Sequence, residues 1–273
     1  MSGTSSFRSE LINLESMGKP IRLEYLFINE KRIATKPLLI FLHEGLGSIE
    51  MWRDFPQQVC DALKLPGLLY SRYGYGRSTQ RPKHEVWGMD YLHVQAHLVL
   101  PELMQSLNLQ GEKPILIGHS DGASIALLYA SLFPDNVAAV VAMAPHIFVE
   151  EVTIAGIKKM RDVYLQSNMK QKLARYHDDP DSAFWAWNDS WLQPDFINWN
   201  IERELQTIKC PLLCVQGYDD EYATMRQLDD IKNVLPATTL KLSNCGHSPQ
   251  RDQSAAVIES ISKFVFNCVF RAR

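Results

Sequence analysis

Pro114-Ile-Leu-Ile-Gly118-His-Ser-Asp-Gly122 runs directly into Ala123-Ser-Ile-Ala-Leu-Leu-Tyr-Ala-Ser-Leu-Phe133. The first five residues form a short apolar run of the kind that makes a fully buried strand, and the last eleven read as a helix. Between them lies Gly-x-Ser-x-Gly, a pattern that carries meaning only in this strand–turn–helix setting. So sharp a turn strains the serine backbone and leaves no room for side chains at the two glycines. It lifts the Ser120 hydroxyl clear of the sheet edge at a helix N-terminus, where the helix dipole favours negative charge. Ser120 is the candidate nucleophile.

Outward from this turn the same alternation continues. Strands are expected at residues 21–29, 37–43, 67–70, 137–144, 211–216 and 239–242, and helices at 49–64, 89–109, 224–234 and 255–270. Continuous apolar strands alternating with helices imply a mostly parallel sheet covered on both faces, an α/β doubly wound fold. One stretch interrupts the rhythm. Residues 148–208 contain no convincing strand, read as helical at 151–165, 170–177 and 181–192, and hold Trp185, Trp187, Trp191 and Trp199. An insertion of this length between two strands is usually functional. It reads as a helical lid over a core made of residues 1–147 and 209–273; extra helices packed on one sheet edge are the simpler alternative.

The bulk composition narrows the partners. Of the 273 residues, 46% are hydrophobic and 22% charged, with a formal net charge of −3. That balance is ordinary for a soluble globular protein and gives no electrostatic reason to expect nucleic acid. The five cysteines are an odd number without framework spacing, and Cys210 and Cys214 fall in a buried strand where they make poor metal ligands. They read as core residues. The polar stretch Met1–Glu10 lacks the apolar segment of a secretory signal. No run approaches the ~18 apolar residues of a membrane span. The expectation is a cytoplasmic monomer or homodimer acting on a small-molecule substrate, with no cofactor and no metal.

A serine hydroxyl needs a general base. His247, in Asn244-Cys-Gly-His-Ser-Pro249 after the last strand, is the best placed of eight histidines. His93 and His97 share a helix face without the glutamate of a zinc protease and read as surface residues. His84 and His177 fall in polar loops or a lid helix, whereas His43, His119 and His146 lie near strand ends where they could line the site. The base in turn needs an acid that fixes its tautomer. Strand 211–216 ends in Gly217-Tyr-Asp-Asp-Glu-Tyr222. Asp220 is the first choice there, Asp219 the second, and Glu221 reads as solvated. The oxyanion of a tetrahedral intermediate requires preorganised N–H donors. Asp121, directly after the nucleophile, supplies one. Gly45 in Glu44-Gly-Leu-Gly-Ser48 supplies the other, with Leu46 as its alternative; Gly45 and Gly47 let the backbone approach closely.

Together, His43-Glu-Gly-Leu-Gly-Ser48 followed by Trp52, Arg72-Tyr-Gly-Tyr-Gly-Arg-Ser78, Gly118–Gly122, Gly217–Asp220 and Gly246-His247 resemble the α/β-hydrolase superfamily over nearly the whole chain. The order Ser120, Asp220, His247 is that family's order. The resemblance implies an eight-stranded sheet and a cap domain at 148–208. Ser120 excludes the relatives that use an aspartate nucleophile, and the motifs of prolyl aminopeptidases are absent. Ser71 stands where relatives often carry Asp, and Glu44 where they carry Gly. A carboxylate facing a forming oxyanion is unfavourable, so Glu44 is expected to turn toward Arg72 or Arg77, or else to bind a cationic substrate group. Leu46, His146, Phe148 and Trp187 complete the candidate substrate pocket, with Phe184 and the tryptophans suggesting an apolar acyl site. Three readings follow: hydrolysis of a small carboxylic ester or thioester, C–C cleavage of a β-diketone-like substrate, and a non-catalytic homologue that binds a small ligand.

Overall fold

Strands β1 (Glu10–Ser16), β2 (Lys19–Ile28), β3 (Leu39–Leu42), β4 (Gly67–Ser71), β5 (Ile115–His119), β6 (Ala139–Met143), β7 (Leu212–Gly217) and β8 (Thr238–Leu242) of the computed structural model form one sheet. Their order is β1-β2-β4-β3-β5-β6-β7-β8. The structure describes residues 9–34 and 37–271; most of the polar stretch Met1–Glu10 lies outside the described residues. β1 pairs with β2, and β2 with β4, antiparallel; from β4 onward every pairing is parallel. β3 to β7 are buried throughout, as expected of strands covered on both faces.

The helices are α1 (Phe55–Leu63), α2 (Tyr91–Val94), α3 (Leu100–Ser106), α4 (Asp121–Leu132), α5 (Glu151–Gln166), α6 (Met169–Leu173), α7 (Pro180–Trp191), α8 (Glu202–Leu205), α9 (Arg226–Val234), α10 (Pro249–Asp252) and α11 (Ser254–Val265). Strand side chains alternate between two apolar clusters. Leu39, Phe41, Ile117, Val141 and Val215 pack with Phe55 and Val59 of α1 and Val257 and Ile261 of α11. Ile40, Leu42, Leu116, Val140 and Cys214 pack with Leu92, Leu103, Leu127 and Leu228 on the other face. Each such side chain contributes roughly 1.5–3 kcal/mol by leaving water. The doubly wound reading holds.

Three local differences from the sequence reading have physical causes. β1 was not anticipated: it is an edge strand with mostly polar, exposed residues, joined to β2 by a two-residue turn at Met17 (φ 55°) and Gly18 (φ 71°). The helix expected over 49–64 is broken at Arg53 (φ 53°), so a 3-10 turn (Glu50–Trp52) precedes α1. Between α2 and α3 the chain widens into a π-turn (Gln95–Val99), where Pro101 lacks an N–H and its ring displaces the carbonyl four residues back.

Residues 148–208 carry α5 to α8, and an isolated bridge between Phe148 and Asn200 closes their base. Their aromatics mainly pack on one another. Phe196 stacks on Trp199 at 5.9 Å, Trp191 sits against Phe196 at 4.8 Å, and Phe184 stacks on Tyr164 at 3.7 Å. No helix among the described residues is long and apolar enough to cross a membrane.

Candidate active site

Ser120 occupies the turn between β5 and α4 with φ 53° and ψ −120°. A side chain on Gly118 would strike the backbone of Gly122, and one on Gly122 would strike the Leu42 and His43 carbonyls. Both glycines are therefore obligatory. The Ser120 amide donates to the Met143 carbonyl at 2.9 Å, which pins the turn to β6.

His247 follows β8, and its Nε2 lies 2.9 Å from Ser120 Oγ. Its Nδ1 lies 2.9 and 3.0 Å from the two carboxylate oxygens of Asp220, at the end of β7. Asp220 also accepts from the Tyr222 and Ala223 amides and from the Gln216 side chain. Burial works against charge on both groups. Their mutual attraction and hydrogen bond outweigh it, holding the Asp220 carboxyl below its ordinary value and the His247 imidazole above its own. Asp219 is exposed. Glu221 is exposed too, but its carboxylate accepts the His247 amide at 3.2 Å.

The loop after β3 has its carbonyls tied back. The Glu44 carbonyl accepts from His43 Nδ1 at 2.7 Å, Arg72 Nη2 at 2.9 Å and the Gly47 amide at 3.0 Å. The Leu46 carbonyl accepts from His177 Nε2 at 3.0 Å. Among the described residues the amides of Gly45, Leu46 and Asp121 have no partner, and all three residues line a cavity over Ser120. The Trp187 indole lies so close over Gly45 that a Cβ there would collide with it. The cavity, about 90 Å³, is walled further by His146, Tyr222 and His247, and by Thr153, Ile157 and Trp191 from the insertion.

Glu44 corrects one expectation. Its carboxylate faces His119 at 3.4 Å and Arg251 at 3.5 Å, while Arg72 binds its carbonyl and Arg77 reaches Ser9 and, through its amide, Glu24. Burial disfavours its charge, but His119 and Arg251 outweigh that and hold the carboxyl well below the usual range. Phe148 does not line the cavity; the Arg226 guanidinium lies 4.7 Å from its ring. Phe184 is fully buried behind it. Leu46, His146 and Trp187 do line it.

His177 lies in the loop between α6 and α7, yet it is 3% exposed, accepts the Gly76 amide on Nδ1 at 2.9 Å and donates from Nε2 to Leu46. Nothing in its local sequence signals this, because both partners lie about a hundred residues or more away. The Asp121 side chain was also unread. It accepts from Tyr91 Oη at 2.8 Å and Trp191 Nε1 at 3.2 Å and faces the buried Arg72 at 3.4 Å, joining residues 148–208 to the turn at Ser120. An aspartate in that variable position of the turn was the available signal. His93 and His97 pack on each other, with His93 3.8 Å from Glu204.

A model of the alpha/beta hydrolase family matches residues 39–260. A Haemophilus influenzae protein named "Putative esterase/lipase" is 20% identical over 264 residues, spanning 89% of this chain and 88% of its own. A thermophilic esterase from Thermogutta terrifontis matches 96% of this chain and 99% of that one with TM-score 0.73 and 16% identity. A 2-hydroxy-6-oxo-6-phenylhexa-2,4-dienoate hydrolase from a Rhodococcus strain covers 94% and 99%, with TM-score 0.74 and 14% identity. At such identities the solved structures attest the fold, and the family model attests descent. The chain belongs to the alpha/beta hydrolase family.

Proposed function

We propose that the protein is a serine hydrolase that cleaves a small carboxylic ester or thioester through an acyl-enzyme. The observation that carries this reading is the hydrogen-bonded chain Asp220–His247–Ser120, 2.9 Å at each link, at the floor of a cavity. Ser120 Oγ attacks the carbonyl carbon while its proton passes to His247 Nε2. Asp220 keeps the proton of neutral His247 on Nδ1 and stabilises the imidazolium. The Asp121 and Gly45 amides, with Leu46 adjacent, receive the oxyanion. His247 then protonates the departing alcohol or thiol, and later activates the water that releases the acid. Residues 148–208 serve as the cap, giving the cavity its apolar wall.

A specific observation favours this over C–C cleavage of a dienoate-like substrate. Such a substrate carries a carboxylate, yet the formally charged residues lining the cavity, Glu44 and Asp121, are both acidic, and no Lys or Arg among the described residues lines it. Four buried, unpaired cysteines suit a reducing compartment, and we place the protein in the cytoplasm.

A fluorophosphonate probe tests the reading. Wild-type protein is expected to label and Ser120→Ala to remain unlabelled. Equal labelling of the two, or none of the wild type, leaves a non-catalytic ligand binder as the better account.

A further inference from the structure

Of the buried polar side-chain atoms without a hydrogen-bond partner, His146 Nδ1 is the one whose residue lines the cavity over Ser120. His146 is 2% exposed. Its backbone is held by Ser124, whose hydroxyl donates to the His146 carbonyl at 2.6 Å, but neither ring nitrogen has a hydrogen-bond partner among the described residues. The ring is wedged between Trp191 at 5.1 Å and His247 at 5.7 Å. A buried polar group left unpaired costs about 1–3 kcal/mol, which a bound partner recovers. A second group without a hydrogen bond belongs to the same lining. Trp187 lines the cavity over Gly45, and its indole N–H, unlike that of Trp191, bonds to nothing among the described residues.

We propose that this cavity selects a small uncharged ester or thioester whose acyl group carries a hydroxyl or oxo substituent, hydrogen-bonded by His146 and Trp187. The inference rests on the serine-hydrolase reading and refines its substrate class. Burial, and then the neighbouring His247, push the His146 imidazole down to about 3, so it faces the substrate as a neutral ring with one donor and one acceptor. A hydroxyl matches both. A carboxylate would call for a cation, whereas the formally charged residues that line the cavity, Glu44 and Asp121, are both acidic. Ile157 and Trp191 add apolar wall, and the Thr153 hydroxyl beside them is spent on the Tyr222 carbonyl, so a plain alkyl acyl group fits in shape but leaves His146 and Trp187 unpaired.

The test is a ratio of kcat/KM among p-nitrophenyl esters of matched size: butyrate, 2-hydroxybutyrate, 3-hydroxybutyrate and monosuccinate. Wild-type enzyme is expected to prefer at least one hydroxyl ester over butyrate by roughly tenfold or more, and butyrate over monosuccinate. In His146→Leu the hydroxyl preference falls to near unity, and in Trp187→Phe it falls in the same direction. Each ratio is taken within one preparation, so it does not depend on the fraction folded; should His146→Leu yield no protein, Trp187→Phe decides. Absence of a hydroxyl preference, a preference for monosuccinate, or a preference that survives in the variants overturns the inference. Fluorophosphonate labelling separates the two failures. A labelled enzyme without the preference loses only this inference, whereas an unlabelled one loses the reading beneath it.

Discussion

Asp220 accepts from two backbone amides, a glutamine and His247, so its carboxylate is held rigidly and in the ionised form. Replacement by Asn removes the acceptor that keeps the proton on Nδ1. Asp220→Asn is expected to lower kcat by about 10⁴-fold, the scale of a wrong-tautomer imidazole. Asp219→Asn, at an exposed position, should stay within a few-fold of wild type. Steady-state kinetics of the two variants check this; a crippled Asp219→Asn with an active Asp220→Asn would reverse the assignment. The sequence offered Asp220 ahead of Asp219 at the end of β7, and in the structure Asp220 is the one turned inward to His247. Glu44 was not readable in the same way. Its partners His119 and Arg251 come from β5 and α10, and only the folded sheet brings those elements to one loop.

The buried parallel strands were legible because each is a short, uniformly apolar run. The β1 edge strand was not, since its residues alternate and mostly face water. Harder still were the contacts by which the insertion grips the body. His177 spans the Leu46 carbonyl and the Gly76 amide, and Asp178 adds a bond from its amide to the Gly76 carbonyl at 3.0 Å. Because Gly76 must donate to Nδ1, the proton of His177 sits on Nε2 and points at the Leu46 carbonyl in the loop after β3. His177→Ala would free the Leu46 carbonyl and loosen the neighbouring amides. A misplacement of about 1 Å costs on the order of 10²-fold in rate. His177→Ala is therefore expected to lose roughly that much kcat, with KM changed far less, while His177→Gln recovers part of it. Equal kcat for wild type and the alanine variant would show that the loop holds itself.

Across the whole molecule, three histidines are buried in neutral form. Burial lowers the imidazoles of His43, His146 and His177, and that of the partly buried His97, below their ordinary value of 6.5. In the unfolded chain each would bind a proton near that value, so unfolding takes up protons below it. Their contribution to stability is complete above pH 6.5 and is lost as the pH falls toward the folded values, about 3 for His146. Each removes up to about 1.4 kcal/mol per pH unit in that window. His247, with a raised value, acts in the opposite sense: its contribution is present below 6.5 and lost as pH rises through its folded value. Four groups against one predict that the thermal midpoint falls clearly between pH 7.5 and pH 5 in calorimetry. A flat midpoint over that range would mean that these rings are protonated in the folded protein.

The backbone at Ser120 carries one more consequence. At φ 53° an L-residue with a branched Cβ is a steric outlier, so a threonine cannot stand at the top of this turn. Side chains with an unbranched Cβ, such as a thiol or a carboxylate, meet no such barrier. The menu of nucleophiles open to this scaffold is thus set by the torsion of one peptide unit, before any partner residue has a say.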